Sequence, residues 1–127
     1  MNALLPFNFL AIGLGAAAGA WLRWLLGMRF NVAGWPWGTL MANLAGGYLI
    51  GVLVAVVAAH PEWPAWVRLA VITGFLGGLT TFSTFSAETV GMLQRGAYVT
   101  ALGYAAFSLM GSLCLTALGL ATVHALR

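Results

Sequence analysis

The stretch from Gly74 to Glu88, GFLGGLTTFSTFSAE, lies where a membrane helix should run but has an unsuitable composition for a continuous one. Three glycines weaken helical structure in its first half, and five hydroxyl residues follow within seven positions. Such backbone and hydroxyl groups are tolerated at membrane depth only where they are buried in protein or line a wet path. We therefore interpret 74–80 as a functional break in the helix and Thr81–Glu88 as the resumed helix.

The chain as a whole has the composition of a membrane protein. Of its 127 residues, 62% are hydrophobic and 6% are charged, whereas roughly a quarter are charged in soluble domains. Because one helical span takes about 20 apolar residues, four spans nearly use up the length. We expect an all-α integral membrane protein with one four-helix domain covering residues 1–127. The predicted spans are about 4–26, 37–59, 64–93 and 97–126.

The third span is too long for a straight helix across a bilayer. Its 30 residues would extend about 45 Å at 1.5 Å per residue, while the hydrocarbon core is about 30 Å thick. Either a large tilt or a break is required, and the glycines favour a break near 74–80. Small residues at intervals of four in the first two spans predict closely packed helix faces. They are Gly15 and Gly19, then Gly38, Ala42 and Gly46.

The charged residues exclude several classes of function. Five arginines against two glutamates give a net charge of +3, but the arginines are scattered and form no patch for nucleic acid. The two histidines are far apart and have no partner at metal-ligand spacing. The sequence contains no paired carboxylate, no nucleophile–base pair and no phosphate loop, so we expect no enzyme. Function is therefore expected within the membrane.

The arginines barely select an orientation in the membrane. With four spans, both termini lie on one side together with Arg68 and Arg127, and Arg23, Arg29 and Arg95 lie on the other. Two against three is a weak bias under the positive-inside rule, so we expect insertion both ways up. An antiparallel homodimer then becomes available, the two-chain counterpart of an inverted repeat. Carbonyls freed at the break would need partners there, and a small cation such as Na⁺ is one solution.

The distinctive polar groups inside the spans are neutral donors and aromatic edges. Asn43 is an amide in mid-span, where polar groups are costly and mark an interhelical bond or a site. Phe82 and Phe85 are three positions apart, share a helical face and have ring edges of positive partial charge. Such groups suit a small anion that must lose water without being trapped by a full charge. Two phenylalanines in a membrane helix also fit simple packing.

Hydroxyl groups recur every four positions on the fourth span, at Tyr104, Ser108, Ser112 and Thr116. This ladder fits either a polar path along the helix or interhelical hydrogen bonds that stabilise packing. Glu88 is the one carboxylate that the predicted spans place within the membrane. It fits a group at a helix end, a residue that orients a neighbour, or a carrier of protons.

Three segments resemble the motifs of the Fluc (CrcB) fluoride channels. They are GAAAGAWLR at 15–23, GTLMANLAGGYLIG at 38–51 and GFLGGLTTFSTFS at 74–86. Length and the four-span layout also agree, so the resemblance covers essentially the whole chain. It implies a fluoride-selective passive channel that exports cytoplasmic fluoride across the bacterial cytoplasmic (inner) membrane. It also implies an antiparallel, dual-topology homodimer with two pores.

The resemblance implies roles for the polar and aromatic residues of the pore. Asn43 matches a pore donor, and Phe82 and Phe85 match the residues that present ring edges along the fluoride path. The hydroxyl residues of the fourth span, with one from the second, match a polar track. These are Tyr104, Ser108, Ser112 and Thr39.

The resemblance also implies roles away from the pore. Gly77 and Thr80 match the positions whose carbonyls hold a structural Na⁺ at the centre of the dimer interface. Arg23 matches the motif arginine of an aqueous vestibule, where its charge would concentrate anions. Glu88 and Thr81 match supporting positions.

Two other classes of function stay open on the sequence alone. A proton-coupled exporter of the small multidrug-resistance type shares four helices and dual topology. It needs a membrane-buried carboxylate in the first span, and Leu4–Leu26 contains none. A non-transporting membrane interaction subunit would need only closely packed small-residue faces and interfacial tryptophans.

Overall fold

The computed structural model describes residues 4–127, which form four long apolar helices and one short hairpin. The first two membrane helices are α1 (Pro6–Phe30) and α2 (Trp37–Ala59), joined by a hairpin of β1 (Asn31–Val32) and β2 (Trp35–Pro36). The third comprises α3 (Ala65–Arg68), a π-helical segment (Leu69–Leu76), α4 (Gly77–Leu79) and α5 (Ser83–Gln94). The fourth is α6 (Tyr98–Ala125). Each of the four is long and apolar enough to cross a membrane, as a multi-pass membrane protein requires.

The largest difference from the predicted spans is at the end of α1. This helix continues to Phe30, beyond the predicted end at Leu26, because nothing in the apolar run interrupts it before Asn31. The connection between the first two membrane helices is therefore the hairpin at 31–36, which is shorter than the gap between the predicted spans. The bounds of the other three membrane helices lie within one residue of the predicted spans.

A side chain from the hairpin fixes the start of α2. The residue that precedes α2 is Pro36, which has no side-chain oxygen to cap the helix. Instead, Oδ1 of Asn31 accepts hydrogen bonds from the backbone N–H groups of Gly38, at 2.7 Å, and Thr39, at 3.2 Å. These groups have no partner inside the helix, so Asn31 performs the function of an N-cap from six residues away. Gly34, with φ of +90°, makes the tight turn that brings Asn31 back.

Small residues allow the helices to pack at close range. Gly15 and Gly19 of α1 lie against the third membrane helix, where an added Cβ would overlap the carbonyl oxygens of Ala70 and Phe75. Gly51 of α2 lies against α6 in the same way. The small residues of α1 predict a closely packed helix face. In the structure this face contacts the third helix of the same chain.

The interruption in the third helix lies later in the sequence than its glycines predict. Helix α4 ends at Leu79 and α5 begins at Ser83, so the backbone is non-helical at 80–82. The predicted break at 74–80 overlaps this interruption only at Thr80. The second half-helix likewise resumes two residues later than predicted.

The glycines before the interruption serve packing rather than unwinding. An added Cβ on Gly74 or Gly78 would overlap the carbonyl oxygen of Ile12 or Ala16, respectively, so their missing side chains let α1 approach. The chain stays helical through them, although Leu69–Leu76 is wound as the wider π-helix. Contact with α1 offsets the weak helical propensity of glycine. No local pattern in the sequence reveals this contact.

Candidate functional site

The interruption of the third helix is held by one side chain from α2. Nδ2 of Asn43 donates to the carbonyl of Thr81 at 3.0 Å, and the Thr81 N–H donates to Oδ1 of Asn43 at 2.7 Å. Both polar groups of a non-helical backbone unit are thereby satisfied within the membrane-spanning region. Asn43, predicted as a pore donor, therefore anchors the break, and it is one of the residues that line the groove described below.

Two further side chains stabilise the facing ends of the half-helices. Nε of Arg23 donates to the carbonyl of Gly78 at 3.0 Å, which places a positive charge at the carboxyl end of α4. A cation in this position interacts favourably with the helix dipole. On the other side, Oγ1 of Thr81 accepts from the Thr84 N–H at 3.1 Å and caps α5. Arg23, predicted at a vestibule, is half-buried against the break.

Three backbone carbonyls at the break, those of Gly77, Leu79 and Thr80, remain without a hydrogen bond from residues 4–127. Of these residues, Gly77 and Thr80 line one groove, which is described below. The neighbouring carbonyl of Leu76 is satisfied twice, by the Thr80 N–H and the Thr80 hydroxyl, each at 2.9 Å. A pair of unsatisfied carbonyl oxygens is a donor set that suits a hard cation.

An open groove of about 520 Å³ runs between α2, the third helix and α6. None of the described residues that line it carries a charge, and apolar side chains such as Ile50 and Ile72 form much of its wall. Eight of the residues predicted for the site lie in this one groove. They are Asn43, Gly77, Thr80, Thr81, Phe82, Phe85, Ser108 and Ser112.

The two phenylalanines of the groove lie side by side. Their ring centroids are 5.6 Å apart with an interplanar angle of 58°. Phe85 is half-buried and contacts the ring of Tyr104 at 5.2 Å, so it has a packing role within the chain. Phe82 is 79% exposed, so packing inside a single chain does not account for it. Its ring is therefore open to lipid or to a second chain.

The hydroxyl ladder of α6 divides into groups with different surroundings. Thr116 donates to the carbonyl of Gly47 on α2 at 2.8 Å and serves interhelical packing. Ser108 and Ser112 line the groove, one helical turn apart. Oγ of Ser108 is buried and has no hydrogen-bond partner in the described part of the chain. A buried hydroxyl without a partner is costly, so Ser108 offers a donor to a ligand or a water molecule.

Glu88 lies at the centre of a hydrogen-bond network behind the groove. Its Oε2 accepts from the Thr39 hydroxyl at 2.9 Å, and its Oε1 accepts from the Tyr104 hydroxyl at 2.7 Å. Thr39 and Tyr104 are buried, and the network joins α2, α5 and α6. Thr39 and Tyr104 were predicted for the polar track. Neither residue lines the groove, but Phe85, which does line it, packs on Tyr104.

Sequence reasoning missed one member of this network. Nδ2 of Asn31 lies 3.5 Å from the Thr39 hydroxyl, while Oδ1 of Asn31 caps α2. Capping residues usually stand immediately before a helix, and Asn31 stands six residues earlier across the hairpin. The one indication in the sequence is that an asparagine lies a few residues before α2, whose preceding residue, Pro36, cannot cap the helix with its side chain.

Four apolar helices, an interrupted third helix and an uncharged polar groove define a multi-pass membrane protein with a site inside its helix bundle. Residues 10–120 match the family described as CrcB-like protein, Camphor Resistance (CrcB). The chain belongs to this family, which confirms the resemblance that the three motifs indicate.

Relatives of the same length have names that state a function. The fluoride-specific ion channel FluC of Bordetella petrii is 73% identical over 124 residues, which cover 98% of this chain and 97% of the relative. The protein of that name from Pseudomonas putida is 57% identical over 120 residues, covering 92% and 94%. The one from Cupriavidus metallidurans is 51% identical over 123 residues, covering 95% and 98%.

Proposed function

We propose that this chain forms a fluoride-selective passive ion channel that exports cytoplasmic fluoride across the bacterial cytoplasmic (inner) membrane. Relatives named as fluoride-specific ion channels are up to 74% identical over nearly the whole chain. The observation in the structure that carries the proposal is the groove. It combines the aromatic rings of Phe82 and Phe85 with the free hydroxyl of Ser108 and has no charged residue in its described lining.

This lining suits conduction of a small anion. An anion that enters the groove exchanges its water shell for hydroxyl and amide donors and for the positive edges of the aromatic rings. Ser108 and Ser112 are one turn apart, about 6 Å along the helix, so an anion can pass from one to the next. Because none of these groups carries a full positive charge, each binds weakly enough to release the anion.

The functional unit in this proposal is an antiparallel, dual-topology homodimer with two pores. The groove is open, and Phe82 at its edge is 79% exposed, so a second chain is needed to enclose an ion path. The near-equal division of arginines between the two membrane surfaces supports insertion in both orientations. A two-fold axis in the membrane plane would duplicate the groove and so give two pores.

A structural Na⁺ at the centre of this dimer is part of the proposal. The unsatisfied carbonyls of Gly77 and Thr80 would hold it, and two chains would contribute four oxygens. Carbonyl oxygens at interrupted helices coordinate Na⁺ in other membrane proteins. The ion would offset the cost of leaving these carbonyls unsatisfied and would stabilise the meeting point of the two breaks.

Fluoride efflux from proteoliposomes that contain only this purified chain tests the function. The proposal expects efflux that is passive and needs no proton gradient. Absence of fluoride efflux from correctly folded protein would overturn the proposal. Drug uptake driven by a proton gradient and lost in Glu88→Gln would instead support the small multidrug-resistance type of exporter that the sequence alone leaves open.

A further inference from the structure

Asn31 joins the end of α1 to the start of α2. Its backbone N–H donates to the carbonyl of Gly27 at the end of α1, and its side-chain oxygen caps the first N–H groups of α2. The two helix ends are closely packed at this point, because a Cβ on Gly38 would overlap the carbonyl oxygen of Leu26. The Asn31 side chain is therefore confined between two helix ends.

The surroundings of Asn31 determine which way its side-chain amide points. The backbone N–H groups of Gly38 and Thr39 face one of its two polar atoms, at 2.7 Å and 3.2 Å, and only an oxygen can accept from them. The other polar atom is therefore Nδ2, which can only donate. It lies near Gly27, where an added Cβ would be 3.4 Å away, and 3.5 Å from the hydroxyl oxygen of Thr39. The Thr39 oxygen thus faces a donor on this side.

This arrangement fixes the direction of the hydrogen bonds around Glu88. Because Nδ2 of Asn31 cannot accept, the Thr39 hydroxyl directs its one proton to Oε2 of Glu88, at 2.9 Å. The Tyr104 hydroxyl donates to Oε1 at 2.7 Å. Within residues 4–127, the Glu88 side chain thus accepts two hydrogen bonds and donates none, which is the pattern of an ionised carboxylate.

We propose that Asn31 is a positioning residue for fluoride conduction. Its amide holds the backbone N–H and the hydroxyl of Thr39 together and so directs the Thr39 proton to Glu88. The effect reaches the groove through side chains in contact, because Glu88 binds Tyr104, and Tyr104 packs on Phe85 with ring centroids 5.2 Å apart. The part of the inference that concerns flux rests on the proposed function. The direction of the hydrogen bonds can be tested without it.

Asn31→Asp separates this positioning role from helix capping. Aspartate caps helices as well as asparagine does, so the start of α2 and the fold should be retained. The two backbone N–H bonds and the positive end of the helix favour the ionised form of the introduced carboxylate. An acceptor then replaces the Nδ2 donor, and two carboxylates compete for the single hydroxyl proton of Thr39. We therefore expect Glu88 to lose much of its hydrogen bond from Thr39.

Infrared spectroscopy can observe Glu88 directly, because Glu62 and Glu88 are the two acidic residues of the chain. The carboxylate band of Glu88 is the difference between each protein and the same protein with Glu88→Gln. We expect Asn31→Asp to shift this band in the same direction as Thr39→Val, which removes the hydroxyl outright. Val32→Asp is the matched control, because Val32 is the exposed next residue and takes no part in the network. It should leave the band unchanged.

Asn31→Gly provides a second infrared test that does not depend on the folding of Asn31→Asp. Glycine is tolerated at helix N-caps, and it removes Nδ2 without adding a charge. Without the amide, the Thr39 side chain can adopt other rotamers, so the Glu88 band should broaden. An unchanged band in the folded glycine variant would contradict the positioning role.

Fluoride efflux from proteoliposomes tests the consequence for conduction. At high ionic strength the added negative charge is itself screened, and there we expect Asn31→Asp to slow efflux about threefold to tenfold. Val32→Asp should leave efflux nearly unchanged under the same conditions. In a chain that already carries Thr39→Val, Asn31→Asp should cause no further loss, because the hydroxyl through which Asn31 acts is gone.

The infrared and efflux measurements separate failure of this inference from failure of the channel. A shifted Glu88 band in a chain whose unmodified form conducts no fluoride would support the hydrogen-bond direction and overturn the proposed function. An unchanged band in folded Asn31→Asp, or a shifted band with normal efflux, would overturn the positioning role and leave the channel intact. Equal slowing in Val32→Asp, or losses of Asn31→Asp and Thr39→Val that add, would also overturn it, because the introduced charge would then account for the effect.

Discussion

The side-chain amide of Asn43 pairs with the backbone of Thr81 through two hydrogen bonds, of 3.0 Å and 2.7 Å. This pairing ties the interruption of the third helix to α2 across the bundle. Thr81 in turn caps α5, which begins directly after Phe82 and carries Phe85 in its first turn. The position of the phenylalanines therefore depends on an amide in another helix.

Replacing Asn43 by alanine should destabilise the fold as well as reduce fluoride flux. The N–H and the carbonyl of Thr81 would each lose a partner, at a cost of about 1–3 kcal/mol for each unsatisfied group. Denaturation in detergent measures the free energy of unfolding. Tyr48→Phe is the control, because it removes a single hydroxyl contact, that of Tyr48 with Thr122 at 3.1 Å, and should cost less. Unchanged stability in Asn43→Ala would contradict the anchoring function.

Gly46 and Thr80 should behave as a coupled pair. A Cβ on Gly46 would overlap the Cγ2 methyl of Thr80, and rotation of Thr80 would break its hydroxyl bond to Leu76. We expect Gly46→Ala to lower the free energy of unfolding by about 1–3 kcal/mol. Adding Thr80→Ser removes the methyl and keeps the hydroxyl, so the double variant should recover most of this loss.

The coupling is measured by a double-mutant cycle in the unfolding assay. Thr80→Ser alone serves as the reference for loss of the methyl group. If the costs of Gly46→Ala and Thr80→Ser simply add, the two residues do not meet as described.

Replacing Phe82 or Phe85 should reduce fluoride efflux far more than it reduces the stability of the fold. We expect both Phe82→Ile and Phe85→Ile to slow fluoride efflux by about tenfold or more, because isoleucine has no aromatic edge for the anion. Phe82 is exposed, so its replacement should leave the unfolding of the purified chain nearly unchanged. Phe85 packs on Tyr104, so its replacement should cost about 1 kcal/mol. Unchanged efflux in both variants would reduce the two phenylalanines to packing residues.

The four membrane helices could be predicted from the sequence, but the place of the interruption could not. Apolar runs of sufficient length define the spans, and the proline-rich turn after His60 limits α2. The glycines at 74–80 indicate weak helix, yet the chain is helical at all three, and two of them, Gly74 and Gly78, pack closely on α1. The true interruption at 80–82 is fixed by Asn43 and Arg23, which come from two other helices.

The candidate site, like the fold, could be predicted from the sequence only in part. The motif at 74–86 and two hydroxyl residues of α6, Ser108 and Ser112, contribute to the lining of one groove. The pairing of Thr39 and Tyr104 with Glu88 depends on the relative positions of three helices. Asn31 caps α2 across a hairpin, and no spacing rule for helix caps covers that arrangement.

Removal of Na⁺ should affect both assembly and flux. If the carbonyls of Gly77 and Thr80 hold a structural Na⁺, replacing it throughout by a large organic cation leaves these oxygens unsatisfied. We expect the dimer to dissociate more readily in detergent and fluoride efflux to fall, and return of Na⁺ should restore both. Efflux and dimer stability that do not depend on the cation would contradict the proposed site.

Simultaneous efflux of fluoride and chloride from one preparation of proteoliposomes tests the central claim most directly. The vesicles contain the purified chain, the potassium salts of both anions at equal concentration and a potassium ionophore that balances the exported charge, and an ion-selective electrode follows each anion without a proton gradient. The proposed fluoride-selective channel predicts that fluoride leaves rapidly while chloride is retained, and that vesicles without protein retain both. Equal release of the two anions, or retention of fluoride by folded protein, would contradict the account.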